Sequence, residues 1–388
     1  MRQLSSAMLD LLTGSIPDAR IACNAWYDGN LVEPGLPISN WRIQWAGDDN
    51  TLIQGKGSFT VADDTGRLAP WGYDEPLSAA GSQLQVSFLA GSESVDLAWL
   101  AVATNAPDEQ WRVSGPNTQW VSGGASISVE ADDLTLLVSD ARFIAPEAPP
   151  SGATVLSEVR RLLSGLCPVT VAAGVTDAAV PASIVYKDER LAPVFDLVKS
   201  LNCRYRMTGD GQFEVYPLTQ TAPVWTVQGK AGGALVSLNR TQARADLING
   251  VVSTGSDPSA EVRALATLTT GPLRWDGPLG RKVAYHNAVA TTQTGVQADA
   301  QTILNNSTIL QTVPLNVLCA PHPGIQIGDW VRVAAPVIDG SEYPLDGIVS
   351  SVELSGSASG LDAMKLTVRC ALADVQAVSQ YVRKAVVQ

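Results

Sequence analysis

Apolar residues recur at every second position through much of the first 145 residues. "WRIQW" sets Trp41, Ile43 and Trp45 on one face and Arg42 and Gln44 on the other. "QLQVSFLAG" repeats the pattern with Leu84, Val86 and Phe88, and "ASISVEADDLTLLVSDARF" continues it through Ile127, Val129, Leu134 and Leu136. Successive side chains of a strand point to opposite faces. This period, with Gly, Asp and Asn between runs, therefore predicts half-buried antiparallel strands of a barrel or sandwich. "DDTGRLAPWG", Asp63 to Gly72, reads as a turn-rich connection.

The period then changes. "APEAPPSGAT", Ala145 to Thr154, is too rich in proline for a sheet interior and reads as a linker. After it, Val155, Leu156, Val159, Leu162, Leu163 and Leu166 follow helical spacing as far as Pro168. A second helix is predicted near Pro193, with Val194, Phe195, Leu197, Val198 and Leu201 on one face. "CRYRMTGDGQFEVYPL" then joins two alternating strands through an Asp210-Gly211 turn, which completes a compact α/β unit.

From about Trp225 the β pattern returns through "GGALVSLNRTQARADLINGVVSTG". A stretch rich in Thr, Ala and Gly interrupts it from roughly Asp257 to Thr312, where Val296, Ala300, Ile303 and Leu304 mark one amphipathic helix. Strands resume at "VPLNVLCA" and continue through "HPGIQIGDWVRV", "GIVSSVEL" and "MKLTVRCAL". In the last of these, Met364, Leu366, Val368 and Cys370 oppose Lys365, Thr367 and Arg369. Two β-rich blocks thus flank the α/β unit, and the fold class is α+β, mainly β. The opening "MRQLSSAMLDLLTGS" is expected to form a short amphipathic helix ending at Thr13-Gly14, without the apolar core of a signal peptide.

Composition narrows the function. At 388 residues the chain suggests two to four domains, and 45% hydrophobic against 16% charged residues allows large cores. Net charge is −12, which argues against a nucleic-acid reader and against attraction to an anionic membrane. No apolar run reaches the roughly 18 residues of a membrane span, so no direct membrane insertion is expected. The five cysteines, Cys23, Cys167, Cys203, Cys319 and Cys370, are far apart and include no C-x-x-C pair. They read as buried reduced thiols of a protein made in a cytosol.

Candidate chemistry is sparse. The two histidines, His286 and His322, sit in no zinc-binding spacing, and neither a G-x-S-x-G elbow nor a Walker-type loop occurs. Asp48-Asp49, Asp63-Asp64 and Asp132-Asp133 read as solvated turn acids rather than a glycosidase pair, and they fall short of a calcium loop. Seven of the ten tryptophans lie in the first 120 residues (Trp26, Trp41, Trp45, Trp71, Trp99, Trp111, Trp120). They suit a core or a protein interface, with stacking on sugar faces as the alternative. No catalytic residue, cofactor or metal is expected.

In this order, the segments resemble the tail hub, or minor tail protein, of siphophages infecting actinobacteria, within the trimeric baseplate-hub group. The resemblance is carried by "RQLSSAMLDLLTGS", "LPISNWRIQW", "FTVADDTGRLAPWGYDEPLSAAGSQLQVSF", "VFDLVKSLNCRYRMTGDGQFEVYPL", "RADLINGVVSTG", "HPGIQIGDWVRV", "DGIVSSVEL" and "MKLTVRCAL". Each motif is generic β structure, and only their succession is specific. The resemblance implies two small β-barrel (tube-type) domains with an inserted α/β domain and a further small inserted domain. The corresponding ranges are 1–145 for the first barrel, 152–220 for the α/β domain, 225–256 with 313–376 for a discontinuous second barrel, and 257–312 for the small insert.

It also implies a homotrimer at the tail tip of the virion, with no enzymatic activity. Such a ring joins the distal tail protein and tail tube to tip or fibre proteins and surrounds the end of the tape measure protein. DNA would pass through its lumen without specific binding, repelled by the acidic chain. Pro323-Gly324 and Gly328-Asp329 then punctuate strand ends of the second barrel. Ile325, Ile327 and Trp330, with Trp41 and Trp45, are expected in barrel cores or a subunit interface. The alternatives are a carbohydrate-binding or glycan-cleaving tail or cell-surface module, and a distal tail or tube protein.

Overall fold

In the alternating runs the burial follows the pattern: Trp41, Ile43 and Trp45 in strand Ile38–Ala46, and Leu84, Val86 and Phe88 in strand Gln83–Ala90, are buried. The computed structural model describes residues 1–13, 18–47, 51–114, 119–180, 184–219, 222–241, 244, 247–255, 261–306, 312–337 and 341–378, with residues 109–114 and 119–125 described in backbone alone. Asp48 and Asp49 lie outside this range. The N-terminal helix spans Ser6–Leu12, with the Ser5 hydroxyl accepting from the Met8 N–H at its start and Thr13 at its end.

The first β block is antiparallel throughout. Its neighbours run in the order Ile38–Ala46, Gly55–Asp63, Gln119–Asp133, Glu93–Ser114, Gln83–Ala90, Arg20–Tyr27 and Asn30–Glu33. The second block runs Leu235–Arg240, Thr312–Cys319, Met364–Ala371, Glu342–Ser357 and Trp330–Pro336, with Trp225–Gln228 parallel to the last.

These blocks are one sheet. Strand Glu342–Ser357 is 16 residues long, so its first half pairs with Trp330–Pro336 and its second half with Ile38–Ala46, Leu354 opposite Ile43. The result is a 14-stranded sheet over a single apolar core. Two small β-barrel domains were expected. Among the described residues neither block closes, and Asn30–Glu33, Trp225–Gln228 and Leu235–Arg240 each pair on one side only. The two-residue period fixes which face is buried and says nothing about which strands become neighbours.

Two local readings change. The run through Leu134 and Leu136 is not strand to its end: Gln119–Asp133 stops, and helix Thr135–Asp140 follows. Asp133 makes that turn, its carboxylate accepting from the Thr135 N–H at 3.0 Å and from the Gly55 N–H at 2.5 Å. Asp133 and Asp63 are also buried, contrary to solvated turn acids. Asp63 accepts from the Leu68 and Thr65 N–H groups, so each carboxylate replaces water with backbone donors.

The α/β unit packs helices Val155–Leu162 and Leu191–Ser200 on a sheet of Val169–Val171, Phe213–Pro217 and Cys203–Met207. Thr154 caps the first helix through a reciprocal pair with Ser157. The hairpin turns at Gly211, whose φ of 78° suits glycine. The inserted unit is larger than its sequence boundary: strand Gly250–Gly255 joins Arg263–Thr267 and Val283–Ala288 in a separate sheet, covered by helix Gln293–Asn306. All five cysteines are buried free thiols.

Candidate assembly surfaces and the joint that orients them

The segment "HPGIQIGDWVRV" is a corner rather than a pair of strands: strand begins only at Trp330. Residues His322 to Ile327 are all buried, and Asp329 is buried as well. Three parts of the chain converge on this corner. From the N-terminus, the Arg2 guanidinium donates to the carbonyls of Pro323 (2.9 Å), Ile325 (3.2 Å) and Leu97 (2.8 Å), and stacks 5.1 Å above the Trp45 ring. From the hairpin of the α/β unit, Arg206 donates to the Ile327 carbonyl at 2.9 Å, to Asp329 Oδ1 at 3.3 Å and to Glu214 at 2.6 Å. Within the corner, Asp329 Oδ2 accepts from the Gln326 N–H at 2.9 Å.

Backbone bonds tie this corner to the large sheet: the Gly328 N–H donates to the Val349 carbonyl and the Val349 N–H to the Asp329 carbonyl, both at 2.8 Å. Gly328 has φ of 84°, and a Cβ there would stand 2.4 Å from the Tyr216 ring. Burial lowers the Arg2 pKa to about 10, with the Arg206 charge adding to the effect and Asp329 opposing it. His322 packs against Trp225, ring centroids 4.7 Å apart, and burial lowers its pKa to about 4. Its Nδ1 has no hydrogen-bond partner among the described residues. The corner is therefore a joint. It fixes the α/β unit and the N-terminus against the large sheet through charges that water cannot easily reach.

Of the residues singled out in the sequence, Trp41, Trp45, Ile325 and Ile327 lie in the main core. Trp330 is half-buried at the strand start and stands outside that core. Arg2 and Arg206 had no sequence signal, because nothing local distinguishes a buried arginine from a solvated one, and Asp329 was legible only as a turn residue.

Large apolar side chains also lie exposed elsewhere. The connection after strand Gly55–Asp63 exposes Trp71 (73%) and Tyr73 (84%). The inserted sheet buries one face on its helix, while Leu265, Val252 and Tyr285 align across the other. Leu265 and Tyr285 in that row are exposed. Ser253 and His286 both address the Asp299 carboxylate, at 2.8 Å and 3.5 Å, beneath that sheet. Serine and histidine share one acceptor there, which is an arrangement for holding the helix to the sheet. A nucleophile–base relay places the serine on the histidine instead. Among the described residues no three metal-ligating side chains cluster, and no helix is long and apolar enough to cross a membrane.

No family model matches the chain, and no curated protein matches it. Solved structures do. A tail protein from Neisseria meningitidis MC58 aligns with a TM-score of 0.59 at 13% identity, over 90% of this chain and 96% of that one. The 43 kDa tail protein of prophage MuSo2 from Shewanella oneidensis aligns with a TM-score of 0.56 at 13% identity, over 90% and 97% of the two chains. At this identity the likeness is one of fold. The chain has the fold of these tail proteins.

Proposed function

We propose that this chain is a structural component of a phage tail: a siphophage tail hub that forms a threefold ring at the tail tip. The carrying observation is a fold shared with tail proteins over nine-tenths of the chain. The reading gains support from strands whose edges are unpaired among the described residues and from exposed aromatic and apolar rows, which a neighbouring subunit would cover. In this reading the ring joins the distal tail protein and tube to tip or fibre proteins and encloses the end of the tape measure protein. DNA passes through without specific contacts, and the chain carries out no catalysis. A closed ring follows where the rotation between neighbours returns on itself.

The test is quantitative mass spectrometry of intact particles, with antibody labelling of the same chain. About three copies confined to the tail tip are expected. About six copies would replace the hub by a distal tail protein, and absence from particles would remove the structural reading altogether.

A further inference from the structure

Helix Leu191–Ser200 and the residues before it face the end of strand Val283–Ala288 across a cleft of about 330 Å³. That volume lies in the range of ligand sites. Its walls are apolar on both sides: Ile184, Pro193 and Leu197 from the α/β unit, Ala288 and Val289 from the inserted unit. Between them stands one half-buried carboxylate, Asp196. It has no hydrogen bond or ion pair among the described residues, and burial lifts its pKa to about 6.

Burial outweighs the charges that act on Asp196 from a distance, His286 and Lys199 lowering its pKa and Asp299 raising it, and both basic groups have nearer contacts. His286 Nε2 lies 3.5 Å from Asp299, and the Lys199 ammonium stands 5.5 Å above the Phe195 ring. A carboxylate withdrawn from water without a donor is costly. A cation carried on an aliphatic stem answers both halves of the cleft, its stem lying on the apolar walls and its head on the carboxylate. The remaining charges of the cleft, Lys187, Asp188 and Glu189, are exposed and net negative, which favours a basic visitor.

We infer that this cleft receives a lysine or arginine side chain from a segment of a partner protein, with Asp196 as its counter-charge. A polypeptide fits better than a free polyamine because strand Val283–Ala288 pairs only with Gly250–Gly255 among the described residues. Its other edge offers N–H and C=O groups to an extended backbone. The inference stands independently of the ring at the tail tip.

An acetylated and amidated heptapeptide with one central lysine between valine and threonine residues is the probe, titrated calorimetrically into the full chain at about pH 7.5, well above the pKa of an ordinary carboxylate. Saturable binding is expected, weakened at least about tenfold when norleucine replaces the lysine, and by a similar factor in Asp196→Asn. Asp74→Asn, in the distant exposed connection, should bind as the natural chain does. If Asp196→Asn fails to fold, Ala192→Trp fills the same cleft and should abolish binding. Equal binding of the lysine and norleucine peptides, undiminished binding to Asp196→Asn, or no binding of the lysine peptide would overturn the inference. Binding of spermidine in place of the peptide would assign the cleft to a free polyamine and overturn it as well.

Discussion

Arg206 Nη1 lies 3.3 Å from Asp329 Oδ1, so a hairpin residue of the α/β unit and a corner residue of the second β block share one buried ion pair. Their side chains are 12% and 5% exposed, and Arg206 also holds Glu214. Each keeps a second partner when the other is removed: Glu214 for Arg206, and the Met1 ammonium, 2.5 Å away, for Asp329. Arg206→Met and Asp329→Asn should each cost about 1–3 kcal/mol in urea denaturation, and the double variant should lose clearly less than the sum. Strict additivity would mean that the two side chains act separately.

Gly328 offers a cleaner test of the same joint. Gly328 and Gly152 have φ of 84° and 77°, but only the former has a neighbour, the Tyr216 ring, where a Cβ would stand. Alanine imposes left-handed strain of about 1–3 kcal/mol at either site. Gly328→Ala should lose about 1–3 kcal/mol more than Gly152→Ala, because the tyrosine must move. Equal losses would show that the ring yields freely.

The tryptophans separate into two classes. Trp41 and Trp45 are each 5% exposed in the main core, whereas Trp330 is half-buried beside it. Trp41→Ala and Trp45→Ala should cost about 3–5 kcal/mol, and Trp330→Ala about half as much. Differential scanning calorimetry would rank them; an equal loss at Trp330 would place that ring in the core after all.

Two buried groups give opposite pH dependences in nearly the same window. The pKa of His322 is lowered from 6.5 to about 4, so folding favours the neutral ring. That contribution is present above pH 6.5 and is lost as pH falls towards 4, a change of up to about 3 kcal/mol. The pKa of Asp133 is raised from 3.8 to about 6, so folding favours the protonated acid. Its contribution is present below pH 3.8 and is lost as pH rises through about 6. Melting temperatures from pH 4 to 7 should therefore rise more gently with pH in His322→Phe and more steeply in Asp133→Asn than in the natural chain. A slope unchanged in either variant would remove that group from the linkage.

Much of the local structure was legible because it depends on neighbours in sequence. The strand Ile38–Ala46, the helix Val155–Leu162 and the Asp210-Gly211 hairpin follow from side-chain period and turn chemistry alone. Strand Gly250–Gly255 was legible as a strand, yet its placement was not: it pairs with Val283–Ala288 in the inserted unit rather than in the large sheet. Asp133 shows the same limit from the polar side. An acid beside a turn is ordinarily solvated, and only the packing of Gly55 and Thr135 around it makes burial tolerable.

By itself the sequence determined which faces are apolar and where most of the strands, helices and turns lie, since period and turn residues act over a few positions. Tertiary structure alone decided that Ile38–Ala46 meets Glu342–Ser357, merging two β blocks into one sheet. It alone brought Arg2, Arg206 and Asp329 to a single corner. The reason is physical. A strand edge or a guanidinium accepts many partners of equal local fitness, and the choice among them is made by the packing of the whole core.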